Sequence, residues 1–190
     1  MSIARTLRAA GFEALFAGGV VRDLTLGAEI ADIDIATSAL PADIEKLFPR
    51  TVAVGRQFGV MIVVTEWGSF EVATFRTEGA YLDGRHPSAV RFTDAEEDAR
   101  RRDFTVNALF LDPESRAVID YVDAAADFER RVIRTVGDPA ARLNEDKLRV
   151  LRAIRFACSL GFAIEPRTYE EARRQAPQLV HVSWRGSGTN

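Results

Sequence analysis

Ala14-Leu15-Phe16-Ala17-Gly18-Gly19-Val20-Val21-Arg22-Asp23, followed shortly by Asp32-Ile33-Asp34-Ile35-Ala36, is the stretch on which the fold turns. Residues 14–17 form a short, continuous apolar run, which predicts a buried strand. The run stops at Gly18-Gly19, and Val20, Val21 and Leu24 then have helical spacing. A turn without Cβ atoms between a strand and a helix lets backbone amides approach a phosphate, with the helix N-terminus adding favourable partial charge. A Gly-Gly pair alone is also simply a tight turn. Arg22, one position beyond the valines, supplies a charged clamp for the same phosphates. Residues 32–36 alternate strictly, which predicts a strand carrying Asp32 and Asp34 on one face, roughly 7 Å apart. Two carboxylates placed that way repel unless a cation lies between them, and Mg²⁺ favours carboxylate oxygens together with substrate phosphates.

The rest of the chain frames this unit. Ile3, Leu7 and Ala10 predict a short helix closed by Gly11, and Pro41 opens another whose Ile44, Leu47 and Phe48 face a core. Residues 60–65 and 70–75 read as a hairpin around Trp67-Gly68. Glu71 lies in its second strand on the face opposite Phe70 and Val72, and is the candidate for a further catalytic carboxylate. Residues 76–90 are polar and turn-rich and are expected to form a mobile loop. Thr93 and Glu96 have capping-box spacing ahead of a helix that runs into Arg100-Arg101-Arg102. Short strands at 118–119 and 132–133 flank a helix near 124–130. Asp138-Pro139 then begins a helical region reaching about Leu160, with Gly161 as its stop.

This order predicts an α+β fold: a small mixed, largely antiparallel sheet with flanking helices, followed by an all-helical partial neck. The expected divisions are a head over 1–136, a neck over 137–184 and a disordered tail over 185–190. The last segment reads as a helical region cut short, so the chain is expected to be a fragment or truncated product. The composition is that of an ordinary globular protein, with 47% hydrophobic and 28% charged residues and a net charge of −3. No apolar stretch is long enough for a membrane span, and the N-terminus lacks the apolar core of a signal peptide. The single cysteine, Cys158, leaves no internal disulfide and suits a reducing cytoplasm. Arg142, Arg149, Arg152 and Arg155 gather positive charge in the second half, which matters only if a phosphate-bearing ligand is at hand.

Gly18-Gly19-Val20-Val21-Arg22-Asp23 with Asp32-Ile33-Asp34 resembles the nucleotidyltransferase signature of the polymerase-β superfamily. Arg102-Asp103-Phe104-Thr105-Val106-Asn107-Ala108 resembles the ribose-recognition motif of class II tRNA nucleotidyltransferases and bacterial poly(A) polymerases. Glu145-Asp146-Lys147-Leu148-Arg149 resembles that family's base-reading motif, and Leu151-Arg152-Ala153-Ile154-Arg155-Phe156 continues the likeness. The matches run in order from about residue 14 to 180.

The resemblance implies template-independent addition of CMP and AMP, from CTP and ATP, to a tRNA 3′ end. It implies two Mg²⁺ ions on Asp32 and Asp34, with Gly18, Gly19 and Arg22 on the triphosphate. Arg102, Asp103 and Asn107 would meet the sugar, and Asp146 with Arg149, one helical turn after Arg142, would read the base. A carboxylate takes the amino hydrogen of cytosine or adenine while an arginine donates to the adjacent ring nitrogen; uracil and guanine offer the opposite pattern. Poly(A) polymerase shares these motifs, although Gly55-Arg56-Gln57-Phe58-Gly59 resembles the CCA-adding version. The stretch from Arg76 through Tyr81, Asp83-Gly84-Arg85 and Pro87 matches an intact flexible loop, which favours full CCA addition over a CC-adding relative; an A-adding specialist stays open. A small-molecule nucleotidyltransferase and a non-catalytic RNA-binding module are the readings from other classes. Relatives continue into further helical domains that grip tRNA, so this chain alone is expected to bind tRNA weakly.

Overall fold

The computed structural model describes residues 2–30, 32–79 and 89–181. Helix α1 (Ser2–Ala9) leads into β1 (Ala14–Ala17), α2 (Gly19–Leu26), β2 (Asp34–Thr37) and α3 (Pro41–Leu47). Strands β3 (Thr51–Gly55), β4 (Val60–Thr65) and β5 (Gly68–Thr74) follow, then β6 (Arg76–Glu78) and β7 (Val90–Phe92). Next come α4 (Ala95–Arg101), β8 (Phe110–Leu111), β9 (Val118–Ile119), α5 (Ala124–Arg130) and β10 (Val132–Ile133). The remainder comprises α6 (Pro139–Glu145), α7 (Leu148–Leu160), β11 (Ala163–Ile164) and α8 (Pro166–Gln175), with a 3₁₀ segment at Ala176–His181.

Seven strands form one sheet in the order β3-β4-β5-β2-β1-β8-β9, as an α+β fold with a largely antiparallel sheet requires. Its one parallel pairing, β2 with β5, brings Asp34 opposite Glu71 and Ala36 opposite Ala73. Register partners share a face, so the pairing assigns each side of the sheet a task. Ile35, Val72, Met61 and Val63 point to the side covered by α1 and α3, where they join Ile3, Leu7, Ile44 and Phe48 in the core. The other side carries Leu15, Ala17, Ala36 and Phe110, which pack with Phe75 and with Ala95 and Ala99 of α4 over only part of its width. The uncovered part is where Asp34 and Glu71 emerge.

Several expectations are corrected. The strand over 32–36 begins only at Asp34, so Asp32 stands just ahead of it, exposed. The expected loop over 76–90 is strand at both ends, because β6 and β7 pair antiparallel from Arg76–Phe92 to Glu78–Val90. The loop residues Tyr81, Asp83-Gly84, Arg85 and Pro87 lie outside the described residues, as does the expected tail over 185–190. Asp94, not Thr93, caps α4, its side chain accepting from the Glu97 amide at 2.9 Å, while the Thr93 hydroxyl bonds the Glu97 carboxylate. The helical region after Asp138 is broken: Asp146 has extended backbone, and its Oδ1 accepts from the Leu148 amide at 2.9 Å. An aspartate that bonds forward to the backbone in this way offers an alternative to the helical ladder, so the chain restarts as α7. Across the expected boundary near Gly137, β10 pairs in parallel with β11, so the second half is not purely helical.

Candidate active site

The turn between β1 and α2 places Gly18 at φ 70° and ψ −125°, a conformation reserved for glycine. A Cβ there would stand 3.2 Å from Arg102 Nη1. Arg102 follows the end of α4 and is fixed on three sides. Asp98 accepts from its Nε and Nη2 at 3.2 and 2.9 Å, the Asn107 carbonyl accepts from Nη1 at 3.0 Å, and Phe110 lies 4.9 Å from the guanidinium. The glycine turn therefore abuts a positively charged, fully oriented side chain.

A cleft of about 730 Å³ opens over this point. Its floor is the small-residue face of the sheet, Ala17, Ala36 and Ala73, with Asp34 and Glu71 at one end. Burial raises the Asp34 carboxyl above its ordinary value and Asp32 adds to the rise, while Arg102 opposes it. Burial, then the Asp34 charge, raises Glu71 likewise. Two carboxylates on neighbouring strands, each made more basic in part by negative charge close by, form a donor set suited to a hard divalent cation. No cluster of three or more acidic, histidine or cysteine ligands gathers among the described residues.

The rest of the lining comes from Arg22, from residues 101–103 and 107, and from Asp146 and α7. Arg22 donates to the Asn107 side-chain oxygen at 2.9 Å and pairs with Asp23 at 2.8 Å. Asn107 in turn donates to Asp103 at 3.3 Å, and Asp103 is held by Arg152 at 2.5 Å. Arg22, Arg152 and Arg155 all lie within cation–π range of Phe156. Arg149 is buried, donating to the Arg142 carbonyl at 2.9 Å and pairing with Glu145. Asp146 lies on the cleft wall beside Leu148.

The structure thus gathers Gly18, Gly19, Arg22, Asp34, Glu71, Arg102, Asp103, Asn107, Asp146, Arg149, Arg152 and Arg155 into one cleft. Two expected site residues stand apart from its lining. Asp32 is not among the lining residues, yet it lies near enough to Asp34 for its charge to raise that carboxyl. Arg142 docks α6 onto α4, donating to the Arg100 and Arg101 carbonyls at 2.7 and 3.0 Å and to Val136 at 3.1 Å. Those carbonyls end a helix and have no intrahelical partner, so an arginine is a natural cap. Arg142→Ala is therefore expected to lower stability by about 2 kcal/mol, read as a fall in the urea midpoint.

Sequence reasoning missed Arg76, Glu78 and Arg101 as cleft residues. Glu78 accepts from Arg76 at 3.1 Å and Arg101 at 3.0 Å, and its other oxygen lies 4.0 Å from Arg149. Arg76 bonds the Phe58 carbonyl, its Nε is buried without a partner among the described residues, and burial followed by the Arg101 charge pulls its pKa down. The signal available was the arginine run at 100–102 and the charged pair Arg76 and Glu78 directly after a strand.

Comparison with known proteins shows the family and the fold. The family model described as the poly(A) polymerase head domain matches residues 14–134. A CCA-adding enzyme of Streptococcus suis is 48% identical over 184 residues, covering 96% of this chain and 45% of its own. One from Geobacillus stearothermophilus is 46% identical with the same coverage. The crystal structure of the Bacillus stearothermophilus CCA-adding enzyme in complex with CTP superposes with a TM-score of 0.87 at 44% identity, over 96% of this chain and 44% of that one. A tRNA nucleotidyltransferase complexed with a primer tRNA and an incoming ATP analog gives a TM-score of 0.76 at 26% identity, over 95% and 52%. The chain spans about half the length of the curated relatives it matches.

Proposed function

This chain belongs to the poly(A) polymerase head-domain family, and from that premise we propose that it is the catalytic part of a CCA-adding tRNA nucleotidyltransferase. It takes CTP and ATP and extends a tRNA 3′ end. The observation that carries this reading is a single cleft lined by the register partners Asp34 and Glu71, the Gly18-Gly19 turn, and Asp146 and Arg149.

In the reaction the RNA 3′-oxygen attacks the α-phosphorus in line, and pyrophosphate leaves. Asp34, with Asp32 and Glu71 close by, would hold Mg²⁺, two ions being expected, which supplies charge neutralisation at the phosphates and a lower pKa for the attacking hydroxyl. The amides at Gly18 and Gly19 take phosphate oxygens, and Arg22 and Arg152 balance the triphosphate charge. Glu71, made more basic by burial and by Asp34, is suited to receive the hydroxyl proton. Arg102, Asp103 and Asn107 meet the ribose. Asp146 accepts from the Leu148 amide at Oδ1, its other oxygen serves the amino group of cytosine or adenine, and Arg149 serves the ring nitrogen.

The test is to incubate the chain with tRNA lacking its 3′ terminus and each labelled triphosphate in turn. CTP incorporation, then ATP incorporation, then arrest is the expected result. Long A tails would assign the chain to poly(A) polymerase instead, and incorporation of ATP alone or CTP alone to a partial adder.

A further inference from the structure

Asp98, 1% exposed, lies behind two arginines of the cleft, Arg101 and Arg102, and the reaction described above gives it no task. It sits inside α4, one turn before the helix ends at Arg101. Its two oxygens are divided. Oδ1 accepts from the Arg76 amide at 3.1 Å and from Arg101 at 2.9 Å; Oδ2 accepts from both Nε and Nη2 of Arg102. Arg101 has a second carboxylate in Glu78, whereas Asp98 is the carboxylate that Arg102 hydrogen-bonds among the described residues, with the Asn107 carbonyl and the Phe110 ring as its other contacts. Arg102 is therefore the side chain whose aim depends on Asp98.

We propose that Asp98 is a positioning residue that holds the Arg102 guanidinium, against the Gly18 turn, in the orientation that receives the sugar of an incoming ribonucleoside triphosphate. The proposal rests on the nucleotide-binding reading of the cleft. A long arginine loses rotamer freedom on binding unless it is already ordered, and a buried carboxylate oxygen that accepts from both Nε and Nη2 removes that cost beforehand. The same carboxylate ties the start of β6 to α4 through the Arg76 amide, so the aim of Arg102 is set relative to the sheet as well as to its own helix. Asparagine at 98 retains one acceptor, sufficient for the Arg76 amide and Arg101, but turns an NH₂ donor toward Arg102 and releases it.

The experiment measures binding of CTP and 2′-dCTP to the 190-residue chain by calorimetry with Mg²⁺, for the unaltered protein, Asp98→Asn, Arg102→Lys and the double variant. Asp98→Asn is expected to weaken CTP binding about tenfold and to shrink the preference for CTP over dCTP. Arg102→Lys should do the same, and the double variant should be no worse than either alone, because both changes remove one interaction. A purely structural Asp98 would lower the melting temperature while leaving affinity and ribose preference intact at temperatures where the variant is folded. That outcome, or losses that multiply in the double variant, overturns the proposal. An effective Arg102→Lys beside a silent Asp98→Asn overturns the role of Asp98 alone; an unaltered chain that binds no CTP overturns the cleft reading and this proposal with it. Should Asp98→Asn not fold, the Arg102 Nε–H resonance of the unaltered chain decides: slow solvent exchange supports the restraint, and rapid averaging overturns it.

Discussion

Asp34→Asn is expected to lower nucleotide incorporation on the order of a thousandfold or more and at the same time to raise the melting temperature. The two effects have one cause. Asp34 and Glu71 are register partners on parallel strands, and both carboxyls are raised, first by burial and then by neighbouring negative charge. Just above the ordinary carboxylate range the folded protein still holds protons that the unfolded chain has released. Stability therefore falls as pH rises through that window, and at neutral pH the full cost is present. Asparagine removes a charge from the pair and so relieves the repulsion, while removing an oxygen anion on which the chemistry depends. Incorporation and thermal melting of the variant at pH 7, each against the unaltered chain, check both halves. Undiminished turnover would end the assignment of Asp34, and a lower melting temperature would show that its charge is not a burden on the fold.

Gly18→Ala is the second large effect. The backbone at φ 70° and ψ −125° is costly for any residue with a Cβ, about 1–3 kcal/mol. The new methyl would also press on Arg102 Nη1, at 3.2 Å, and Arg102 cannot swing away without breaking its bonds to Asp98 and Asn107. Stability and CTP binding should fall together, with affinity reduced by at least about tenfold. Gly19→Ala is the control for the fold. Gly19 is absent from the positive-φ glycines, and its added Cβ would meet only Arg22 Nη2 at 3.6 Å, so the melting temperature should hardly move. Equal destabilisation by the two substitutions would contradict this account.

The motifs were legible because their chemistry is local. A strand, a glycine turn and a helix within residues 14–26 announce themselves through apolar spacing and the absence of Cβ atoms. Glu71 was legible for a similar reason, since alternation alone puts it on the face opposite Val72. Strand β3 was missed because Val52 and Val54 are exposed at 52% and 60% on an edge strand, where no inward-facing alternation marks it. The break at Asp146 was missed because periodicity continues through it, while the extended backbone at Asp146 and its side-chain bond to the Leu148 amide separate α6 from α7.

The sequence by itself settled the α+β class, the family motifs and most of the residues that meet in the cleft. Each of these depends on residue type and short-range spacing. The tertiary structure alone decided that Arg142 is a cap on α4, that Asp32 stands ahead of its strand, that Arg76, Glu78 and Arg101 line the cleft, and that Asp98 stands behind Arg102. Those outcomes depend on the parallel pairing of β2 with β5 and on the packing of α6 against the end of α4, between segments far apart in the chain. An arginine has the same spacing whether it ends on a phosphate or on a carbonyl; what it binds is set by the groups that folding brings within 3 Å of it.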